Sequence, residues 1–169
     1  TRILSLAESA LGLVNLSSFI GSSNRLCAIT WGAEDMATDL GALTNVDEKG
    51  EYFLVHQLGR ASCLTVGAAG GLQPADSVYI DYKDEASLRT QCIRSRKEGF
   101  TGKMAIHPAQ VAVINECFSP TEEEIEPARQ VIKAFEDADG AGTVGLNGKI
   151  LDRPHLKQAQ RLLAAIGAL

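Results

Sequence analysis

At 169 residues and 45% hydrophobic content, the chain holds enough apolar material for a core of ordinary domain size. A formal net charge of −5 argues against general binding to nucleic acid or to anionic membrane surfaces. No apolar run approaches the ~20 residues that a membrane-spanning helix needs.

The elements follow in chain order. Residues 3–7 read as a buried strand, and Leu11, Leu13, Val14, Leu16 and Phe19 as a short helix ending near Gly21. Residues 26–31 form a second buried strand, and Gly32 opens a loop that carries Asp35. Asp47 is placed to cap a helix running to about Ala69, with Leu54, Leu58, Ala61, Leu64 and Ala68 on its inner face and Gly70-Gly71 as its stop. Residues 77–81 are expected as a third strand. Asp84 then caps a helix with Leu88, Cys92 and Ile93 inward and Gly99 as its end. Residues 103–106 make a short fourth strand, and Pro108 suits the first turn of a helix bearing Val111, Ile114 and Phe118. This βαβαβαβα order implies a parallel sheet with helices packed on it.

The pattern changes after Ser119-Pro120. Thr121 and Glu124 carry a capping-box signature ahead of a helix with Ile125, Ala128, Ile132 and Phe135 on one face. Pro127 lies beyond the first turn, so that helix is expected to kink or restart there. Residues 139–148 read as a flexible Gly-rich loop, and a last helix starts near Pro154 with Leu156, Leu163 and Ile166 as its apolar face. The four cysteines, Cys27, Cys63, Cys92 and Cys117, form no CxxC pair and read as buried reduced thiols, which favours a cytoplasmic setting.

Several residues could carry chemistry. Glu8 and Asp35 each follow a strand, about one strand–helix unit apart. In parallel α/β folds the equivalent strand ends lie side by side, and two carboxylates there can share Mg²⁺. The competing reading makes Glu8 a helix cap and Asp35 part of a solvated turn. The small residues Gly32 and Ala33 before Glu34-Asp35 would let backbone amides approach an anion, or simply build a tight turn. Lys103 could meet a phosphate and His107 a ligand at a helix start. Equally, Lys103 could be a solvated charge and His107 a cap. Asp152 reads locally as an N-cap acid.

Taken in order, these segments resemble the citrate lyase beta-subunit/malyl-CoA lyase superfamily of HpcH/HpaI aldolase-like enzymes. The matching stretches are Ala7-Glu8-Ser9-Ala10-Leu11-Gly12, Trp31-Gly32-Ala33-Glu34-Asp35-Met36 with Asp39-Leu40-Gly41, and Asp76-Ser77-Val78-Tyr79. Gly99-Phe100-Thr101-Gly102-Lys103 with Ile106-His107-Pro108-Ala109-Gln110, and the tail from Phe118 to Asp152, also match. Glu8-Ser9 stands where family members usually have Glu-Thr.

The resemblance implies an α/β fold: strands five to eight, the C-terminal half, of a (β/α)₈ TIM barrel over residues 1–119. Residues 120–169 would form a C-terminal lid or oligomerisation segment. It implies Mg²⁺ on Glu8 and Asp35, and substrate contacts from Glu8, Gly32, Ala33, Glu34, Ile106, His107 and Pro108. Asp152 would be a catalytic acid delivered into a neighbouring subunit's site in a trimer or hexamer. The implied reaction cleaves a carboxylated 3-hydroxyacyl-CoA, of citryl-CoA or malyl-CoA type, into an acyl-CoA and an α-oxo acid. Two alternatives stand beside it: a malyl-CoA thioesterase or malate synthase-like outcome, and an inactive fragment or scaffold subunit. Four strands fall short of a barrel and would leave parallel edges open, so the natural start is expected to lie before Thr1.

Overall fold

The computed structural model describes residues 1–168. It divides into two compact units, Thr1–Phe118 and the chain from Ser119 onward. In the first unit, β1 (Ile3–Ala7), β2 (Leu26–Trp31), β3 (Gln73–Asp76) and β4 (Gly102–Lys103) form one sheet in the order β1-β2-β3-β4, every pair parallel. Helices α1 (Ala10–Val14), α2 (Ala33–Leu40), α3 (Leu54–Gly70), α4 (Glu85–Glu98) and α5 (Pro108–Phe118) complete it, with a 3₁₀ turn at Leu16–Phe19. No helix among the described residues is long and apolar enough to cross a membrane.

Strand alternation sorts the side chains. Ala7, Ile29 and Trp31 are buried against Leu16 and Cys63 of the helical layer. Leu4 and Leu6 take the opposite face of β1 and remain 44% and 46% exposed.

Helix α3 departs from its expected face. Its buried residues are His56, Gly59, Cys63 and Gly67, whereas Leu54 and Leu58 face solvent. Close approach explains this. A Cβ on Gly67 would lie 3.0 Å from Pro74 Cβ and 3.2 Å from Ile29 Cγ2, and one on Gly59 would lie 3.0 Å from Met36 Cε. The small residues form the seam because a leucine there would hold the helix off the sheet. Its start also moves. Asp47 accepts from the amides of Lys49 and Glu51, both at 2.9 Å, and so closes a turn rather than capping the helix.

Strand β3 lies at residues 73–76, ahead of the expected 77–81. The β-branched stretch after it belongs to the loop at the strand's end, while Pro74 sits within the sheet and packs on Gly67. In α4, Leu88 and Cys92 are buried as expected but Ile93 is exposed; in α5, Ile114 is buried and Val111 exposed. Asp84 caps α4 by accepting from Ser87 N at 3.0 Å, and Gly99 ends it at φ +113°.

A buried ionic cluster joins four elements to β3. Asp76 (β3) accepts from Arg60 Nη2 of α3 at 3.1 Å, from Ser95 Oγ of α4 at 2.5 Å and from Trp31 Nε1 at 2.8 Å. Lys103 of β4, its side chain 2% exposed, lies 3.9 Å from Asp76 Oδ2. Lys103 is therefore an internal cation and not a surface phosphate contact. Burial pushes the Asp76 carboxyl up, but the charges of Lys103 and Arg60 and the bonds from Arg60 and Ser95 outweigh it and hold the group below the usual carboxylate range.

In the second unit, α6 (Glu122–Asp137) packs Ile125 and Ala128 against Ala159 and Leu163 of α7 (Arg153–Ala164). Thr121 and Glu124 form the expected capping box. The helix nevertheless runs through Pro127 without a break. Pro127 faces solvent, where water can satisfy the carbonyl it leaves unbonded. A hairpin starts within the expected loop and runs past its end, β5 (Thr143–Leu146) and β6 (Lys149–Asp152), turned by Asn147 and Gly148 at φ +50° and +75°. That Asn-Gly pair is the signature of a two-residue hairpin turn.

Replacing Asp76 by Asn should strand the buried Lys103 and Arg60 charges and lower the unfolding free energy by about 3–5 kcal/mol, read by urea titration. Because folding lowers the Asp76 pKa, its contribution is present above the ordinary carboxylate range and lost as pH falls through the folded value. The wild type should therefore lose stability in acid more steeply than the variant.

Candidate active site

The parallel register of β1 and β2 sets Ala7 beside Trp31, and the Gly32 amide donates to the Ala7 carbonyl at 3.0 Å. The two strands thus end level, with Glu8 and Gly32 as immediate neighbours. Glu8 does not cap the helix that follows it. Ser9 does, accepting from Gly12 N at 3.1 Å, and Asp39 Oδ2 accepts from Ala10 N at 2.7 Å. These bonds fix the turn and leave the Glu8 carboxylate for other use.

Asp35 is not in a loop. Helix α2 starts directly after Gly32, with Glu34 and Asp35 in its first turn, where acidic groups favour the helix dipole. From there the Asp35 carboxylate lies near enough to Glu8 to act on its titration. Partial desolvation pushes the Glu8 carboxyl up, and the neighbouring Asp35 side chain with its charge pushes it further the same way.

Gly32 makes this approach possible. A Cβ there would lie 2.8 Å from Glu8 Cβ and 3.2 Å from Glu8 Oε2. The φ of −117° at Gly32 suits any residue, so the requirement is one of space alone. The neighbouring Glu34 is turned to another partner: Asn45 Nδ2 donates to Glu34 Oε1 at 2.6 Å. His56 is buried near Glu34, and neither ring nitrogen has a hydrogen-bond partner. Burial holds its pKa below the usual imidazole value, against the pull of Glu34.

The residues 106–108 lie at the same end of the sheet, after β4. Two strand spacings of about 4.8 Å separate β4 from β2, so roughly 10 Å lies between them. Gln110 Oε1 accepts from the Ile106 and His107 amides at 2.9 and 3.3 Å. His107 Nδ1 accepts from Ala109 N at 3.2 Å, which leaves the ring proton on Nε2, and the ring stacks on Tyr82 with centroids 4.3 Å apart. Pro108 occupies the first position of α5. In the second unit Asp152 caps α7, with its Oδ1 2.5 Å from His155 Nδ1 and about half its side chain exposed.

The first unit thus brings Glu8, Gly32 and Asp35 together, with Ala33 and Glu34 adjoining and residues 106–108 farther along the same edge. Asp152 belongs to the other unit. Sequence reasoning missed Ser9, Asp39, Asn45 and Gln110 as supports. Asp39 carried a signal in the Asp39-Leu40-Gly41 stretch, but Asn45 reaches Glu34 from a turn that no local pattern marks.

Among the described residues there is no group of three or more His, Cys, Asp or Glu suited to a metal. The Glu8–Asp35 pair fits a cation of a different kind. Mg²⁺ commonly takes one or two carboxylates and completes its shell with water and substrate oxygens. Two carboxyls on neighbouring strand ends, with the charge of one pushing the other's pKa up, present that donor set, and a divalent cation between them would offset their repulsion. A Gly32→Ala substitution should displace Glu8 and weaken Mg²⁺ binding on the order of 10–100-fold, measured by calorimetry, and should also lower the melting temperature, because the added Cβ meets the backbone-fixed Cβ of Glu8.

Residues 1–108 match the family described as HpcH/HpaI aldolase/citrate lyase. The chain is 39% identical over 164 residues to a (3S)-malyl-CoA thioesterase of Cereibacter sphaeroides, covering 96% of this chain and 55% of that one. It is 36% identical over 172 residues to the mitochondrial citramalyl-CoA lyase of Mus musculus, covering 96% and 49%. A crystal structure of CitE from Mycobacterium tuberculosis, in complex with magnesium, acetoacetate and coenzyme A, superposes with a TM-score of 0.83 at 27% identity, over 98% of this chain and 61% of that one. The chain spans about half the length of the curated relatives it matches. With the family match covering most of its first unit, and relatives at this identity along nearly its whole length, the chain belongs to the HpcH/HpaI aldolase/citrate lyase family.

Proposed function

We propose that this chain serves a Mg²⁺-dependent carbon–carbon lyase that cleaves a carboxylated 3-hydroxyacyl-CoA, of citryl-CoA or malyl-CoA type, into an acyl-CoA and an α-oxo acid. The observation that carries this reading is the Glu8–Asp35 pair, closed over the bare Cα of Gly32 at the C-terminal edge of a parallel sheet. The CitE crystallised with magnesium, acetoacetate and coenzyme A supports it. In the same reading the sheet supplies strands five to eight of a (β/α)₈ barrel, and Leu4 and Leu6 face the barrel's interior.

Each residue has a role in this proposal. Glu8 and Asp35 hold the cation, which when bound acts as Lewis acid and template for the oxygen that gathers charge on C–C cleavage. The first amides of α2, at Ala33 and Glu34, begin a helix and have no carbonyl of their own helix to bond, so they are suited to the carboxylate of the α-oxo acid. Gln110 fixes the Ile106–His107 backbone, and His107, stacked on Tyr82, offers Nε2–H toward the thioester end. Cleavage requires a proton at the α-carbon of the departing acyl-CoA, and condensation requires its removal. Asp152, exposed on its own unit, is assigned that proton, and a trimer or hexamer would bring it to a neighbouring copy's site.

Thioester hydrolysis is the second reading, and the likeness to a (3S)-malyl-CoA thioesterase favours it. Following free thiol against acyl-CoA separates the two: the lyase releases acyl-CoA intact, whereas hydrolysis releases CoA.

Glu8→Gln and Asp35→Asn should each lower Mg²⁺-dependent turnover by about a hundredfold or more, and EDTA should abolish it in the wild type. Full activity of Asp35→Asn in EDTA would contradict the metal assignment. Asp152→Asn should lower turnover about a hundredfold or more while leaving Mg²⁺ affinity within about twofold. Unchanged turnover in that variant would remove Asp152 from the reaction.

A further inference from the structure

Two adjacent carboxylates, Glu34 and Asp35, stand in the first turn of α2, yet of the two only Asp35 acts on the Glu8 carboxyl. Glu34 is drawn aside by Asn45, whose Nδ2 lies 2.6 Å from Glu34 Oε1. Asn45 is 7% exposed and is itself pinned: its carbonyl accepts from Phe53 N at 3.0 Å, where Phe53 caps α3. The flanking Val46 pairs with Tyr52 in an antiparallel bridge, and the Tyr52 ring packs edge-on against buried Trp31 with centroids 5.0 Å apart. The excursion between α2 and α3 thus holds one amide side chain rigidly against one carboxylate. His56 lies on the same side but gives Glu34 no hydrogen bond, because both its ring nitrogens are unpartnered.

We infer that Asn45 is a positioning residue that keeps Glu34 out of the cation's coordination shell and so sets which divalent ion the site prefers. The inference rests on the reading of Glu8 and Asp35 as the metal pair. Mg²⁺ is small, keeps octahedral geometry and parts reluctantly with water, so a two-carboxylate site suits it. Ca²⁺ takes six to eight oxygens in flexible geometry and gains from each added carboxylate. Releasing Glu34 adds a third carboxylate one residue from Asp35. That change favours Ca²⁺ far more than Mg²⁺.

The test is calorimetric titration of the full chain with Mg²⁺ and separately with Ca²⁺, without substrate. Asn45→Ala removes the amide. Asn45→Asp keeps the shape of the side chain, sets a like charge against Glu34, and serves if the alanine variant does not fold. In either variant the ratio of the Ca²⁺ to the Mg²⁺ dissociation constant should fall about tenfold. Adding Glu34→Gln to Asn45→Asp should return the ratio to within about twofold of wild type. A general loosening of the excursion would not be cancelled by that second change. A ratio that stays within about twofold of wild type in a folded Asn45 variant overturns the inference while leaving the metal pair intact. Wild-type protein that binds neither cation overturns the metal pair and this inference together.

Discussion

The hydrogen bond from the Gly32 amide to the Ala7 carbonyl draws β1 and β2 together where both strands end. At that point the segment leaving β2 carries no Cβ, and the segment leaving β1 carries Glu8. One methyl group on Gly32 would occupy the space of the glutamate side chain. Everything else at the candidate centre follows from this contact. Because the strands end level, helix α2 starts beside Glu8 and its first turn places Asp35 against it. Because Ser9 and Asp39 take the helix-capping duty after β1, the Glu8 carboxylate is not spent on backbone. The proximity of two acids is thus a product of sheet register and local capping, and in the proposed function a cation offsets their repulsion.

The far side of the sheet solves a different problem. β3 and β4 are short, and two-residue β4 cannot hold its place through backbone bonds alone. Asp76 compensates by tying Arg60, Ser95, Trp31 and Lys103, and thus α3, α4, β2 and β4, to one carboxylate. A buried ionic cluster of this kind adds little net stability over a well-packed apolar one, but it has one arrangement that satisfies every partner. It thereby fixes the strand edge from which the 104–107 segment and His107 emerge, while staying apart from the carboxylate pair.

The parts of the molecule legible in its sequence are those whose physics is local. β1 and β2 are apolar runs, α4 has its Asp84 cap and Gly99 stop, and α6 has its capping box. Each stands where its residues place it. What escaped reading depended on partners distant in sequence. The inner face of α3 is its Gly59, Cys63 and Gly67 seam, a choice made by Pro74, Ile29 and Met36 and not by the helix's leucines. β3 runs through Pro74 against strand propensity because the sheet encloses it there. The hairpin at residues 143–152 is the exception, since its Asn147-Gly148 turn signal is local but stands in a stretch whose other glycines read as a flexible loop. For the candidate site, Glu8 and Asp35 stood out by position and residue type. Asn45 did not, since only the folded excursion brings it to Glu34.

The central question is whether a divalent cation sits between Glu8 and Asp35. A crystal of the protein soaked in Mn²⁺, a Mg²⁺ surrogate with strong anomalous scattering, tests this directly. One dominant anomalous peak is expected at the C-terminal edge of β1 and β2, liganded by oxygens of Glu8 and Asp35 and not by Glu34. An empty pair of carboxyls beside a well-ordered Gly32, or a peak on other acids alone, would contradict it.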